Sequence, residues 1–248
     1  MESIYFPIVF AVGAIAGSFG TLVGGNSLIT IPLLIFLGLP PHIAIGTNRF
    51  DAVGGLVAGL YKFQQKGMVD YKIGLAVGIP AVLGSIVGAH LVLQINEVLL
   101  KKIIAIFTMA ILAFIVLRPQ LGIEKTKHVI KHYKYALGAM SSLCIGTYGG
   151  FYGAGIGTFL SYLLILLFGQ TFLESAGTRK IATLSVSVMA AMIFAISGVI
   201  IYSVGIVMFT GLFIGSYIGA HYADKIGNVW LKRLFFVVVA TMAIKLVT

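Results

Sequence analysis

The sequence predicts an all-α polytopic membrane protein with two homologous repeats and eight to ten transmembrane segments, including short broken or re-entrant helices. Three observations support this class: the composition, the apolar runs and a motif that occurs twice. Hydrophobic residues make up 59% of the 248 residues and charged residues only 10%, whereas a soluble domain has about 25% charged residues. The lipid bilayer is therefore the expected surrounding, and a bacterial inner (plasma) membrane is the simplest location.

The apolar runs form two sets that a basic connector separates. They lie near 4–22, 27–38, 43–61, 71–93 and 98–117, and then near 135–152, 157–169, 178–200, 202–222 and 229–247. We therefore expect a first transmembrane repeat over 1–117, a connector over 118–134 and a second repeat over 135–248. Crossing a bilayer takes about 20 helical residues. The segments 27–38 and 157–169 are too short to cross alone, which predicts half-helices or re-entrant arms.

The two sets contain matching motifs. Gly84-Ser85-Ile86-Val87-Gly88-Ala89-His90 recurs 131 positions later as Gly215-Ser216-Tyr217-Ile218-Gly219-Ala220-His221. The same offset relates Gly46-Thr47 to Gly177-Thr178. The spacing of the small residues favours close helix packing, and a structural role is expected for the two histidines. A duplication of the transmembrane unit follows.

Loop charges bear on whether the repeat is inverted. The connector 118–134 has an excess of Lys and Arg, which predicts a cytoplasmic location. The loop around Lys66 is basic, while its copy around Ser197 is uncharged. One loop inside and its copy outside is what an inverted repeat with five crossings per half requires. The pairs Lys101-Lys102 and Lys232-Arg233 keep their charge in both copies and point the other way. We favour the inverted arrangement.

A glycine-rich break precedes each short segment, at Gly24-Gly25-Asn26-Ser27 and at Gly153-Ala154-Gly155-Ile156-Gly157-Thr158. Glycine costs roughly 1 kcal/mol in a helix interior, and Asn26 and Ser27 are good N-caps, so a helix should restart there. A broken helix within a bilayer is tolerated only where it lines a cavity or is covered by protein. Helix N-termini bind anions. The alternative is that these glycines only allow close helix packing.

The motifs Gly46-Thr47-Asn48-Arg49 and Gly177-Thr178-Arg179-Lys180 follow the two short segments. The threonines offer hydroxyl groups to a substrate. The cations either add positive charge to an intramembrane site or reach the interface as anchors. Asp51 is a candidate coupling site for a proton or a sodium ion, with an ion pair or a solvated helix end as the alternative.

The predicted substrate contacts come from both breaks and both Gly-Thr motifs. They are Gly24, Gly25, Asn26, Ser27, Thr47, Asn48, Arg49, Gly155, Gly157, Thr158, Thr178 and Arg179. The expected partner is a small anion. The aromatic residues are scattered through hydrophobic runs, which excludes nucleic-acid binding. The sequence contains no enzyme motif such as His-Glu-x-x-His, and we expect neither a catalytic residue nor a cofactor nor a metal site.

Gly24-Gly25-Asn26-Ser27-Leu28-Ile29-Thr30-Ile31-Pro32-Leu33-Leu34, followed by Ala44-Ile45-Gly46-Thr47-Asn48, resembles the signature of the sulfite exporter TauE/SafE family. The second half resembles it through Gly153–Leu160 and Ala176-Gly177-Thr178. Asn26 stands where the family usually has a third glycine. The second half has no proline that matches Pro32.

The resemblance implies a secondary transporter of a small sulfur-containing anion: sulfite, thiosulfate or an organosulfonate such as sulfoacetate. Alternatives are a channel-like or carboxylate anion permease, and a membrane partner that delivers sulfur compounds to an enzyme. The anion, the direction of transport, the coupling ion and homo-oligomer formation stay open.

Overall fold

The computed structural model describes residues 5–117 and 132–225. Within these ranges it contains nine α-helices and no β-strand: α1 Phe6–Val23, α2 Ser27–Phe36, α3 Pro41–Gln65, α4 Tyr71–Leu93, α5 Glu97–Leu117, α6 His132–Phe151, α7 Ile156–Phe168, α8 Phe172–Ile196 and α9 Tyr202–His221. The all-α class is thus confirmed. Three parts of the predictions fall outside the described residues: the connector from 118 to 131, the pair Lys232-Arg233 and the segment 229–247. The predicted cytoplasmic location of the connector is therefore not tested.

Four of the helices in the described ranges are long and apolar enough to cross a membrane: α1, α4, α8 and α9. The helices α2 and α7 have only 10 and 13 residues, which confirms the prediction of short segments at these places. The helix α3 has 25 residues but contains buried polar and charged side chains. Length and composition therefore make α1, α4, α8 and α9 the candidate spans, and α2 and α7 are too short to cross alone.

Glycines in the left-handed region stop the helices before each short segment. Gly24 ends α1 with φ 91°, and its N–H donates to Gly20 O. Gly153 and Gly155 have φ 71° and 76° and separate α6 from α7. A side chain is unfavourable at such φ values because Cβ approaches the following carbonyl oxygen. The predicted breaks are thus backbone features that the glycines allow.

The long helices pack in pairs through glycine. Helix α1 lies along α9 and α4 along α6, while α3 contacts α8 and α9. Gly84 and Gly88 lie against the carbonyl oxygens of Leu143 and Thr147, so closely that a Cβ atom would overlap them. Gly215 and Gly219 lie in the same way against α1. The repeated small-residue motif therefore serves helix packing, as the sequence predicted.

Candidate functional site

The two glycine breaks meet in the middle of the described structure. A Cβ atom on Gly24 would lie 2.7 Å from both Gly157 C and Thr158 N, so the backbone at the end of α1 touches the first turn of α7. Thr158 Oγ1 donates to Val23 O at 2.9 Å. This bond satisfies one of the carbonyl groups left free at the C-terminus of α1. The two half-helices thus begin next to each other.

Arg49 of α3 reaches this junction from one side. Its guanidinium is 1% exposed and lies against Gly153, where a Cβ atom would overlap it. Nη2 donates to Tyr152 O and to Asn48 Oδ1, both at 3.1 Å, and to Ser27 Oγ at 3.4 Å. Nε is buried without a hydrogen-bond partner. This donor of the cation is therefore unsatisfied in the structure.

Arg179 and Lys180 of α8 reach the junction from the other side. Arg179 Nη2 donates to Leu22 O at 2.8 Å and to Thr21 O at 3.1 Å, and Nη1 donates to Ser161 Oγ. Lys180 Nζ donates to Thr21 Oγ1 at 2.9 Å. Both side chains are buried, so the alternative that they reach the interface as anchors is wrong. Within the described ranges, the only ion pair joins Lys66 to Asp224, and these cations have none.

The three cations line a cavity of about 30 Å³. A water molecule needs roughly 10–15 Å³ on this measure, so in this conformation the cavity has room for about two waters, and it must widen to hold an oxyanion. Six predicted residues line it: Gly24, Asn26, Ser27, Arg49, Gly157 and Arg179. The lining also includes residues outside the predicted set: Gly20, Thr21, Ala52, Gly55, Leu56, Ile156, Lys180, Thr183, Ser187 and Ser216. Asn26 occupies the N-cap of α2 without a side-chain cap bond, so it does not cap the helix in the predicted way.

The other predicted contacts lie outside the cavity lining: Gly25, Thr47, Asn48, Gly155, Thr158 and Thr178. Thr47 Oγ1 accepts a hydrogen bond from Ile201 N at 3.0 Å, just before α9. Thr178 Oγ1 accepts from Asp70 N, just before α4, and from Gln170 Nε2, both at 3.1 Å. These two hydroxyl groups fix the starts of α9 and α4, and in this conformation they lie outside the cavity, so their contact with a substrate stays a prediction.

Asp51 is fully buried, so it is not a solvated helix end. Its Oδ1 accepts from Asn48 Nδ2 at 3.1 Å, and its Oδ2 has no hydrogen-bond partner. Arg49 does not pair with it directly, because Asn48 lies between the two groups. In the structure Asp51 is therefore a buried carboxyl group without a direct ion pair to Arg49, and its coupling role stays a prediction.

Several residues that line the cavity are not among the predicted contacts, although the spacing of polar residues along α8 indicates some of them. Arg179, Thr183 and Ser187 are spaced by four residues, which puts polar groups on one face of α8. That polar face within an apolar helix predicts a buried polar site. Lys180 follows Arg179 directly, and Thr21 lies in the glycine-rich run before Gly24. Their contribution depends on how α1 meets α8, which no local pattern gives.

Sequence comparison identifies a family and several relatives that match nearly the whole chain. The model of the family "Sulfite exporter TauE/SafE" matches residues 9–246. A "Probable membrane transporter protein" of Haemophilus influenzae is 30% identical over 240 residues, which cover 97% of this chain and 93% of the relative. The "Probable membrane transporter protein YfcA" of Escherichia coli strain K12 is 28% identical over 96% of this chain and 88% of its own length.

A more distant relative extends the comparison. The "Probable membrane transporter protein YdhB" of Bacillus subtilis strain 168 is 27% identical over 92% of this chain and 93% of its own length. No solved structure gives a significant match. The relatives and the apolar helices together make this a multi-pass protein of the cell membrane. The chain belongs to the TauE/SafE family, whose curated relatives are probable membrane transporters.

Proposed function

We propose that the protein is a secondary transporter that moves a small sulfur-containing anion across the membrane by alternating access. The observation that supports this most is the cavity lined by Arg49, Arg179 and Lys180, none of which pairs with a carboxylate in the described ranges. Removing an ion from water costs several kcal/mol even after relaxation. An anion in the cavity would offset that cost for all three cations at once.

The half-helices add to the attraction. Helices α2 and α7 begin at Ser27 and Ile156, and both N-terminal ends border the cavity. A helix N-terminus has the equivalent of roughly +0.5 charge and free N–H groups. Two such ends next to each other add to the positive charge of Arg49, Arg179 and Lys180 and favour an oxyanion in the cavity. The sulfur in the proposal comes from the family, "Sulfite exporter TauE/SafE".

We further propose that residues 1–117 and 135–248 are inverted homologous repeats. Corresponding hydrogen bonds support this: Asn48 binds Thr30 and Arg179 binds Ser161, each residue of the second pair lying 131 positions after its counterpart. The packing of α1 on α9 corresponds to that of α6 on α4. Inverted repeats with broken helices place the substrate between the halves and allow the protein to open to either side.

Thermal unfolding of the purified protein against a panel of anions tests the function. The panel contains sulfite, thiosulfate, sulfoacetate, sulfate, chloride and acetate. A ligand at 100 times its Kd adds about 2.7 kcal/mol to the free energy of unfolding. We expect sulfur oxyanions or sulfonates to raise the melting temperature, and we expect Arg179→Gln to abolish the rise. The exposed Lys101 of α5 gives a matched control, Lys101→Gln, which should keep it.

Each other outcome has a distinct meaning. Stabilisation by acetate alone would retain an anion site and remove the sulfur assignment. Equal stabilisation of Arg179→Gln and the unsubstituted protein would show that the anion binds elsewhere. Stabilisation by none of the anions would refute the proposed function. Saturable counterflow in proteoliposomes then separates a carrier from a channel-like pore.

A further inference from the structure

Asp51 is a buried carboxyl group that the anion cavity does not use directly. It lies in the middle of α3, is 0% exposed, and its Oδ2 has no hydrogen-bond partner. A buried ionised group without full pairing is expensive, and a carboxyl in this position is stabilised by binding a proton. We propose that Asp51 binds the proton that crosses the membrane with the anion, so that the protein is an anion–proton symporter. This inference rests on the proposed function.

Asn48 connects Asp51 to the anion site. Its Nδ2 donates to Asp51 Oδ1 at 3.1 Å, and its Oδ1 accepts from Arg49 Nη2 at the same distance. Arg49 in turn lines the cavity. The carboxyl is therefore two hydrogen bonds away from the cation that faces the anion, and the amide keeps the two charged groups apart while it fixes their positions.

The charges around Asp51 come from few elements. Helices α1 and α2 contain no ionisable side chain. Helix α8 contributes Arg179 and Lys180 to the cavity, and the end of α6 places Tyr148 and Tyr152 near Arg49. The remaining ionisable side chains on α3 and on the helices that pack against it lie towards helix ends: His42, Tyr61, Lys62, Glu97, Lys101, Lys102, Glu174, Tyr202, Tyr217 and His221. Arg49 is thus the charge nearest to Asp51 along the hydrogen bonds.

Anion and proton binding are linked through Arg49. An ionised Asp51 is stabilised by the positive charge of Arg49, and an anion in the cavity opposes that stabilisation. By reciprocity, a proton on Asp51 strengthens anion binding by the same factor. Coupling of this kind between two sites typically changes each affinity by about 5–150-fold. On loading, an O–H bond forms at a carboxyl oxygen of Asp51, and it breaks when anion and proton leave on the other side.

The surroundings favour a proton over a sodium ion. Asn48 presents its NH₂ group to the carboxylate, which is a donor and not a cation ligand. The described ranges contain no group of three or more acidic, His or Cys side chains that could hold a metal ion. A single free carboxylate oxygen is enough for a proton, whereas a metal cation needs several oxygen ligands.

Proton uptake is the direct test. Thiosulfate and sulfate do not titrate near neutral pH, so adding either to the weakly buffered protein reports only protons that the protein takes up. We expect up to one proton per bound anion in the unsubstituted protein and none in Asp51→Asn. Asp224→Asn is the matched control, because Asp224 is 51% exposed and pairs at the surface with Lys66; it should keep the uptake. The apparent Kd should rise, by up to tenfold per pH unit, as the pH is raised through the range in which Asp51 loses its proton, and Asp51→Asn should abolish this dependence.

Transport in proteoliposomes completes the test. Asp51→Asn should lose accumulation driven by a pH gradient, whereas Asp224→Asn should keep both this accumulation and thiosulfate counterflow. Anion stabilisation without proton uptake in the unsubstituted protein would overturn this inference and leave the proposed function intact. Accumulation driven by a sodium gradient instead would also overturn it. Stabilisation by none of the anions would overturn both proposals. The measurements on the unsubstituted protein need no variant and stay decisive if Asp51→Asn does not fold.

Discussion

Replacing Gly24 with alanine tests whether the two helix breaks touch as the structure has them. Gly24 has φ 91°, where an L side chain costs about 1–2 kcal/mol. Its Cβ would also lie 2.7 Å from Gly157 C and Thr158 N. Both atoms belong to the backbone at the start of α7 and cannot rotate away as a side chain would. Overpacking of this kind costs typically 1–3 kcal/mol, so Gly24→Ala should lose about 2–5 kcal/mol of stability in total.

Gly38 provides the matched control. It has φ 92°, nearly the value at Gly24, but no atom lies within 4 Å of a Cβ built there. Gly38→Ala therefore suffers the backbone strain of about 1–2 kcal/mol and no collision. The difference between the two variants isolates the contact between the end of α1 and the start of α7.

Thermal unfolding followed by circular dichroism measures both variants. For a chain of 150–250 residues, 1 kcal/mol corresponds to roughly 2–4 °C. We expect Gly24→Ala to melt at least about 2 °C below Gly38→Ala. Gly24→Ala should also lose the stabilisation by anions, because the N-terminus of α7 must shift. Equal melting temperatures and equal anion stabilisation in the two variants would refute the contact.

Two further predictions concern polar residues at and beside the cavity. Thr47→Val and Thr178→Val leave the N–H groups of Ile201 and Asp70 without their acceptors, so each should lose about 1–3 kcal/mol in thermal unfolding with no change in the Kd for thiosulfate. A changed Kd would return these hydroxyls to the substrate site. Lys180→Met removes a buried charge that donates one hydrogen bond. It should raise the melting temperature without anion and weaken anion binding at least tenfold by titration; stronger binding would contradict the site.

The sequence predicts the fold well where the cause is local. Gly24 and Gly153 stop helices because of their backbone freedom, and the short apolar runs that follow become α2 and α7. The repeated motif around Gly84 and Gly88 packs a helix pair closely. These features depend on the residue types and on the lengths of the apolar segments, and both can be read directly from the sequence. The number of spans depends also on 229–247, which lies outside the described residues.

The site depends on contacts between distant segments, and there the sequence is less informative. Thr47 and Thr178 were predicted as substrate contacts because hydroxyl groups follow the half-helices. Each hydroxyl oxygen instead accepts a hydrogen bond from a backbone N–H group, 154 positions away for Thr47 and 108 positions away for Thr178. The separation of Asp51 from Arg49 follows once both residues lie on one helix, because side chains two residues apart on a helix do not face each other. Asn48, three residues before Asp51, bonds to both groups instead.

The buried cations need a source of stability when the cavity is empty, and the helix ends supply it. Arg179 donates to Thr21 O and Leu22 O in the last turn of α1, and Arg49 donates to Tyr152 O just after α6. The last four carbonyl groups of a helix lack partners within it, and that end has roughly −0.5 charge. Each arginine therefore donates to free carbonyl groups at the end of the helix before a break. The half-helix that begins after the break presents its positive N-terminal end to the cavity. Neutral carbonyl groups offset the cations only in part, so under the proposed function positive charge remains to attract an anion. No carboxylate of the described ranges has to be displaced when that anion binds, and loading and release then break no ion pair at the site.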